Sequence, residues 1–282
     1  ELLEWPEITT HEEERAFATL CKDRNDQMTR FSCLRVDTSG LGAIDEEGTM
    51  SEESMCVNAL ASMQRERGAE WWATHPEERL AVDRQLDAIF LARIGLRFLL
   101  EFHVACETPV EGFSGVLEMR CSPVAACQDV ALEVQAALSD EYGDAPRIEV
   151  VGDSSQTFTF VPSHIRYVVG TLLKNSSVAT LRHHHRLQAA GKLEPGTPLP
   201  PVKAIVAVSD EVVQLKLEDQ AGGIKRSSLI NVWSYRALES KWWKPADGLS
   251  LPLARLFCVY FGGDMTLVPV EGYGTDCYIT FN

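Results

Sequence analysis

The stretch LPLARLFCVYFGGDMTLVPVEGYGTDCYITF (251–281) holds a helix, a stop and a hairpin in a single run. Leu251–Phe261 reads as a helix, and Gly262-Gly263 supplies the flexible backbone that ends it. Met265–Val270 and Cys277–Phe281 read as strands joined by Glu-Gly-Tyr-Gly. Working upstream, Lys203–Val208 and Val212–Leu217 form a second predicted hairpin around Ser-Asp-Glu. Arg147–Val151 and Phe158–Val161 are short strands, and Ser163 is placed to cap a helix running to about Ala190. Strands grouped with helices, without regular alternation, predict an α+β sandwich.

The first half has a helical period. In DRQLDAIFLARIGLRFLLEFHVACE (83–107), Leu86, Phe90, Ile94, Phe98 and Phe102 recur at steps of four, and Ile89, Leu96 and Leu99 widen the stripe. Ser122-Pro123 looks like an N-cap followed by proline at the first helical position. The next helix carries Cys127, Val130, Ala131, Leu132, Val134, Ala137 and Leu138, and ends at Gly143. Residues 34–55 cluster Asp, Ser, Gly and Glu and read as a loop; 108–120 and 236–247 are also read as loops.

Lys and Arg number 26 against 41 Asp and Glu, a formal charge of −15. That balance excludes a broad nucleic-acid footprint, which draws on cations, and leaves nucleic acid to be met only indirectly through a partner or a local patch such as Lys241–Lys244. No apolar run is long enough to cross a membrane, so no membrane insertion is expected. The chain starts at Glu1 rather than methionine, and a mature or trimmed form is expected. The eight cysteines form no Cys-x-x-Cys pair, and several sit among apolar residues. They read as free buried thiols in a reducing compartment.

His183-His184-His185 invites a metal reading. Consecutive helical residues point in different directions, so three adjacent imidazoles do not share one tetrahedral ion, and a solvated helix end is expected instead. The tryptophan pairs in EWW (70–72) and KWW (241–243) read as local packing, with a partner-facing anchor as the alternative.

Tyr167, Thr171 and Asn175 follow each other at steps of four on one helical stripe. Asp219 ends a strand and is followed by Gln-Ala-Gly-Gly, Gly248 precedes Leu-Ser-Leu-Pro, and Gly274-Thr275 lies in the last hairpin. An amide oxygen suits magnesium, glycine lets backbone approach phosphate, and a buried aspartate accepts from an adenine amino group. Each signal is weak alone; their order is specific.

In that order the chain resembles the mitochondrial pyruvate dehydrogenase kinases and branched-chain ketoacid dehydrogenase kinases. Those belong to the GHKL superfamily of gyrase, a class of heat-shock chaperones, histidine kinases and mismatch-repair ATPases. The resemblance covers roughly residues 80–282. It is carried by LARIGLRFLLEFH (91–103), FVPSHI (160–165), LLKN (172–175), PPVKAIVA (200–207), LEDQAGGI (217–224), LPLARLFCVYFGGDM (251–265) and EGYGTDCYI (271–279). FATLCKDRNDQM (17–28) looks like a helix of the family's bundle. The resemblance implies an α+β protein with an N-terminal helical bundle, placed at 1–146, and a C-terminal GHKL-type ATP-binding sandwich at 147–282. It implies the mitochondrial matrix, ATP with magnesium, and protein partners that include subunits of a 2-oxoacid dehydrogenase complex.

The departures are concentrated on the catalytic side. Where the family has a glutamate as general base, four residues before the magnesium asparagine, this chain has Thr171; where it has a supporting histidine, this chain has Tyr167. Threonine does not take a proton from a serine hydroxyl near neutral pH, and loss of a positioned base costs about 10²–10⁴ in rate. The family's following arginine is Val178, the first glycine of its Asp-x-Gly-x-Gly box is Ala221, and its lid glycines read Ala246-Asp247-Gly248-Leu249-Ser250. Asn175, Asp219, Gly223, Gly248 and Thr275 remain as the residues that would hold a nucleotide, with Asn175 as the magnesium ligand. The expectation is a pseudokinase with no required cofactor, serving as a structural or binding subunit of a large mitochondrial complex. The alternatives are an active serine kinase, with Asp247 or the 34–55 loop supplying the base, and a regulator that binds ATP without transfer.

Overall fold

A computed structural model describes residues 66–67, 69–194, 196–209, 212–229, 231–235 and 247–282. The 17–28 helix, the 34–55 loop, Ala246 and KWW lie outside the described residues.

Helices α1 (Ala69–Thr74) and α2 (Pro76–Glu107) lead into a short hairpin, β1 (Phe113–Ser114) and β2 (Leu117–Cys121). Helix α3 (Pro123–Tyr142), β3 (Ile148–Val151) and β4 (Phe158–Phe160) follow, then α4 (Pro162–Ala189), β5 (Val202–Val208) and β6 (Val213–Glu218). The short α5 (Arg226–Leu229), α6 (Asp247–Tyr260), β7 (Asp264–Val270) and β8 (Gly274–Phe281) complete the order.

Local chemistry explains the ends. The Ser122 hydroxyl accepts from the Ala125 amide at 3.4 Å, and Pro123 occupies the first turn of α3. Gly143 adopts φ 76° and its amide returns to the Ser139 carbonyl, closing that helix. Helix α4 begins one residue before the expected cap. Pro162 takes the first turn, Val161 precedes it in extended conformation, and no side chain caps the helix, so Ser163 is not the cap. Helix α6 ends as the glycine pair requires: Gly262 has φ 81°, its amide donates to the Val259 carbonyl, and the Gly263 amide donates to the Cys258 carbonyl. Its start lies at Asp247 rather than Leu251.

The main sheet has the order β3-β5-β6-β8-β7, with β3 parallel to β5 and every other pair antiparallel. Val213, Leu215 and Leu217 of β6 and Cys277, Ile279 and Phe281 of β8 alternate onto the face covered by helices. Val168, Val169, Leu172 and Leu173 of α4 fill that core with Val124 and Val130 of α3 and Ala254 and Cys258 of α6. The result is an α+β sandwich, as the sequence predicts.

Three readings of the sequence are corrected. Residues 108–120, read as loop, contain the β1–β2 hairpin, which joins β4 in a second, three-stranded sheet. Strand β2 supplies few inward residues, so its period is hard to see in the sequence. On α2, Phe90 and Ile94 are buried against Leu253 and Leu256 of α6, but Ile89 and Leu99 are 52% and 62% exposed. Helix α6 covers α2 along one side, so the extra apolar positions fall outside the covered stripe; Leu132 of α3 is exposed for the same reason. The triple histidine is not a solvated end: His184 is buried, because α4 packs along its length, while His185 is exposed.

Of the described cysteines, Cys121, Cys127, Cys258 and Cys277 are free and buried, and burial pushes each thiol up to about 12. Trp72 is buried and Trp71 stacks on His75 at 4.2 Å, which favours packing for the EWW pair. No helix among the described residues is long and apolar enough to cross a membrane.

Candidate nucleotide-type site

Helix α4 carries the stripe Tyr167, Thr171 and Asn175 toward the turn after β6. Tyr167 is half-buried, with its ring 4.5 Å from that of Phe257 on α6. Thr171 and Asn175 are also half-buried. Among the described residues the Asn175 amide has no hydrogen-bond partner. Val178, one turn on, is 8% exposed, so an apolar side chain fills the space at that position.

The turn at 219–223 is a clasp between β6 and β8. Asp219 is 8% exposed, and its Oδ1 accepts from the Ala221 amide and the Thr275 amide, each at 3.0 Å. The Asp219 amide donates to the Thr275 carbonyl at 3.1 Å. The Ser176 hydroxyl, next to Asn175 on α4, lies near the same carboxyl and acts to lower it. Burial outweighs these donors and raises the carboxyl above its ordinary range, with Asp276 adding like-charge repulsion.

Two glycines of this turn are required by packing. Gly223 has φ 70°, and a Cβ there would collide with the Val270 carbonyl oxygen. Gly222 has φ 84°, and its missing side chain leaves room for the His183 ring. Across the clasp, a Cβ on Gly274 would collide with the Asp219 carbonyl.

Of the sequence-predicted residues, Asp219, Gly223 and Thr275 therefore sit together. Asn175 lies one residue from Ser176, whose hydroxyl lies near the Asp219 carboxyl. Gly248 falls in the first turn of α6. Ser176 escapes sequence reasoning, whereas Gly222, within Gln-Ala-Gly-Gly, and Gly274, beside Thr275, carried a signal without being assigned to the site. For ATP with magnesium the fit is partial. The Asn175 amide suits a metal-bound phosphate. At Gly222 and Gly223, by contrast, the space a Cβ would occupy is taken by the His183 ring and the Val270 carbonyl. Among the described residues no group of three His, Cys, Asp or Glu side chains forms a metal site.

Curated relatives match most of this chain. A mitochondrial [pyruvate dehydrogenase (acetyl-transferring)] kinase of Schizosaccharomyces pombe is 35% identical over 217 residues, covering 70% of this chain and 49% of that protein. This chain belongs to the pyruvate dehydrogenase kinase family. The protein of the same name in Arabidopsis thaliana is 33% identical over 213 residues, covering 69% of this chain and 56% of its own length. A human relative, named isozyme 4, is 28% identical over 214 residues, covering 69% and 50%. The chain spans about half the length of the curated relatives it matches. No family model matches it. Membership accounts for the sandwich, whose fold is that of the GHKL-type kinase domain.

Proposed function

We propose that this chain is a pseudokinase of the pyruvate dehydrogenase kinase family, acting as a binding or structural subunit of a mitochondrial protein assembly. The observation that carries the reading is the stripe leading to Asn175. Thr171 stands one turn before it and Tyr167, packed on Phe257, two turns before it. Neither side chain takes a proton from a serine hydroxyl at neutral pH, so general-base catalysis is lost from that stripe. The closed glycines of the 219–223 turn and the protein-held Asp219 carboxyl support the same reading, since both serve the fold. The relatives are named as mitochondrial kinases, which supports a mitochondrial setting for the assembly; the matrix is the compartment proposed, and dehydrogenase subunits are the first partners to test.

A second reading has one observation in its favour. The Asn175 amide has no partner among the described residues, as a magnesium ligand awaiting nucleotide would. With Asp219, Gly223, Gly248 and Thr275 it would make an ATP-binding regulator, or an active serine kinase with Asp247 as base. Calorimetric titration with ATP and magnesium, beside incorporation of labelled phosphate into a dehydrogenase subunit, separates the readings. No heat and no label support the pseudokinase. Binding abolished by Asn175→Ala, without label, supports the regulator. Label abolished by Asn175→Ala overturns the proposal.

A further inference from the structure

Between the Asp219 turn and α6, the strap 231–235 leaves the sandwich and lies on α2. One residue bridges a full turn of that helix. The Tyr235 hydroxyl donates to Asp87 Oδ1 at 2.6 Å, and the Tyr235 amide donates to Asp83 Oδ1 at 3.2 Å. Asp83 and Asp87 are four residues apart, so both carboxyls face the same side of α2. The Ser234 hydroxyl also lies near Asp83 and acts to lower its carboxyl. Tyr235 is 2% exposed, its ring lies 5.4 Å from that of Phe90, and it packs in one cluster with Ile94, Leu253 and Leu256. Behind it, the Arg255 guanidinium of α6 sits 5.2 Å from the Trp233 ring centroid.

Two half-buried carboxyls one turn apart repel each other, and apolar packing alone would favour other side chains there. Asp83 is raised by burial despite its donors and the nearby Arg79, with Asp87 adding to the shift. The pair is tolerated because Tyr235 supplies one donor to each carboxyl. Removing a donor or an acceptor leaves the others buried without replacement.

We propose that Tyr235 is a positioning residue that latches helix α2 to the segment running from the Asp219 turn to α6, so that an event on α2 is transmitted to that turn and the reverse. The hydrogen bonds from Tyr235 to Asp83 and Asp87 cross from one element to the other, and the Phe90–Tyr235–Leu253–Leu256 cluster gives the latch a rigid bed. The Asp219 clasp stands twelve residues before the start of the strap on the same connection.

The test is hydrogen exchange read by mass spectrometry on the full chain. Tyr235→Phe keeps the ring and removes one donor; Asp87→Asn perturbs the same bond from the other side. Arg97→Ala, which removes the Arg97–Glu101 pair on α2 away from the strap, is the control. If the latch operates, Asp87→Asn speeds exchange in peptides covering 219–235 by threefold or more. Tyr235→Phe does the same for peptides covering 83–95. Strands β5, β6 and β8 stay protected, the double variant is no worse than the larger single one, and Arg97→Ala leaves 219–235 unchanged. Exchange that rises only on the mutated side overturns the proposal. So do a uniform rise across the sheet and strictly additive effects.

Discussion

The Thr275 amide donates to the Asp219 carboxyl at 3.0 Å, and the Asp219 amide donates back to the Thr275 carbonyl at 3.1 Å. Strand β6 is thereby pinned to the start of β8 by a side chain as well as by the ladder. Asparagine keeps the accepting oxygen and removes the charge, whereas alanine leaves the Ala221 and Thr275 amides without a partner. Asp219→Asn is expected to change stability by under about 1 kcal/mol, and Asp219→Ala to lower it by about 2–4 kcal/mol in urea unfolding. The pH dependence has a definite sign. A carboxyl raised in the fold contributes stability below its ordinary value of 3.8 and loses it as pH rises through the folded value. The asparagine variant should therefore compare better with the parent at pH 7 than at pH 4.

Gly223 and Ala221 are expected to differ sharply. Gly223→Ala places a Cβ against the Val270 carbonyl at φ 70°, and a loss of about 2 kcal/mol or more in unfolding free energy is expected. Ala221 has no positive φ, so Ala221→Gly should cost about 0.5–1 kcal/mol through unfolded-chain entropy. Thermal denaturation of the two variants distinguishes a glycine required by packing from one that is not.

His164 lies among Phe98, Phe257 and Phe261, and burial, with Arg97 nearby, lowers it to about 4. A histidine depressed in the fold contributes stability above its unfolded value of 6.5, lost as pH falls through the folded value. Between pH 6.5 and 4 this group should remove up to about 3 kcal/mol. His164→Gln should flatten that part of the acid-unfolding curve.

Asn175 gives the opposite outcome to Asp219. Its amide has no partner among the described residues, so Asn175→Ala should change stability by under about 0.5 kcal/mol in urea. A loss above about 1 kcal/mol would assign Asn175 to the fold and remove the one observation that favours magnesium.

Much of the fold was legible because its signals are local. Alternation marked β5, β6 and β8, Ser122-Pro123 marked the start of α3, and the glycine pair at 262–263 marked the end of α6. The β1–β2 hairpin was not legible, since its short strands turn few residues inward. Of the site, Asp219, Gly223 and Thr275 were named from their order and proved to be neighbours. Ser176 was missed because a serine beside an asparagine has no pattern of its own.

The sequence by itself determined the family and the α+β class. Those follow from residue identity and spacing along one chain. Only the tertiary structure decided that His184 is buried, that Gly222 and Gly223 are closed by His183 and the Val270 carbonyl, and that Tyr235 grips Asp83 and Asp87. Each of these joins residues far apart in sequence, and the energy of such a contact depends on a neighbour that only the folded chain brings within reach.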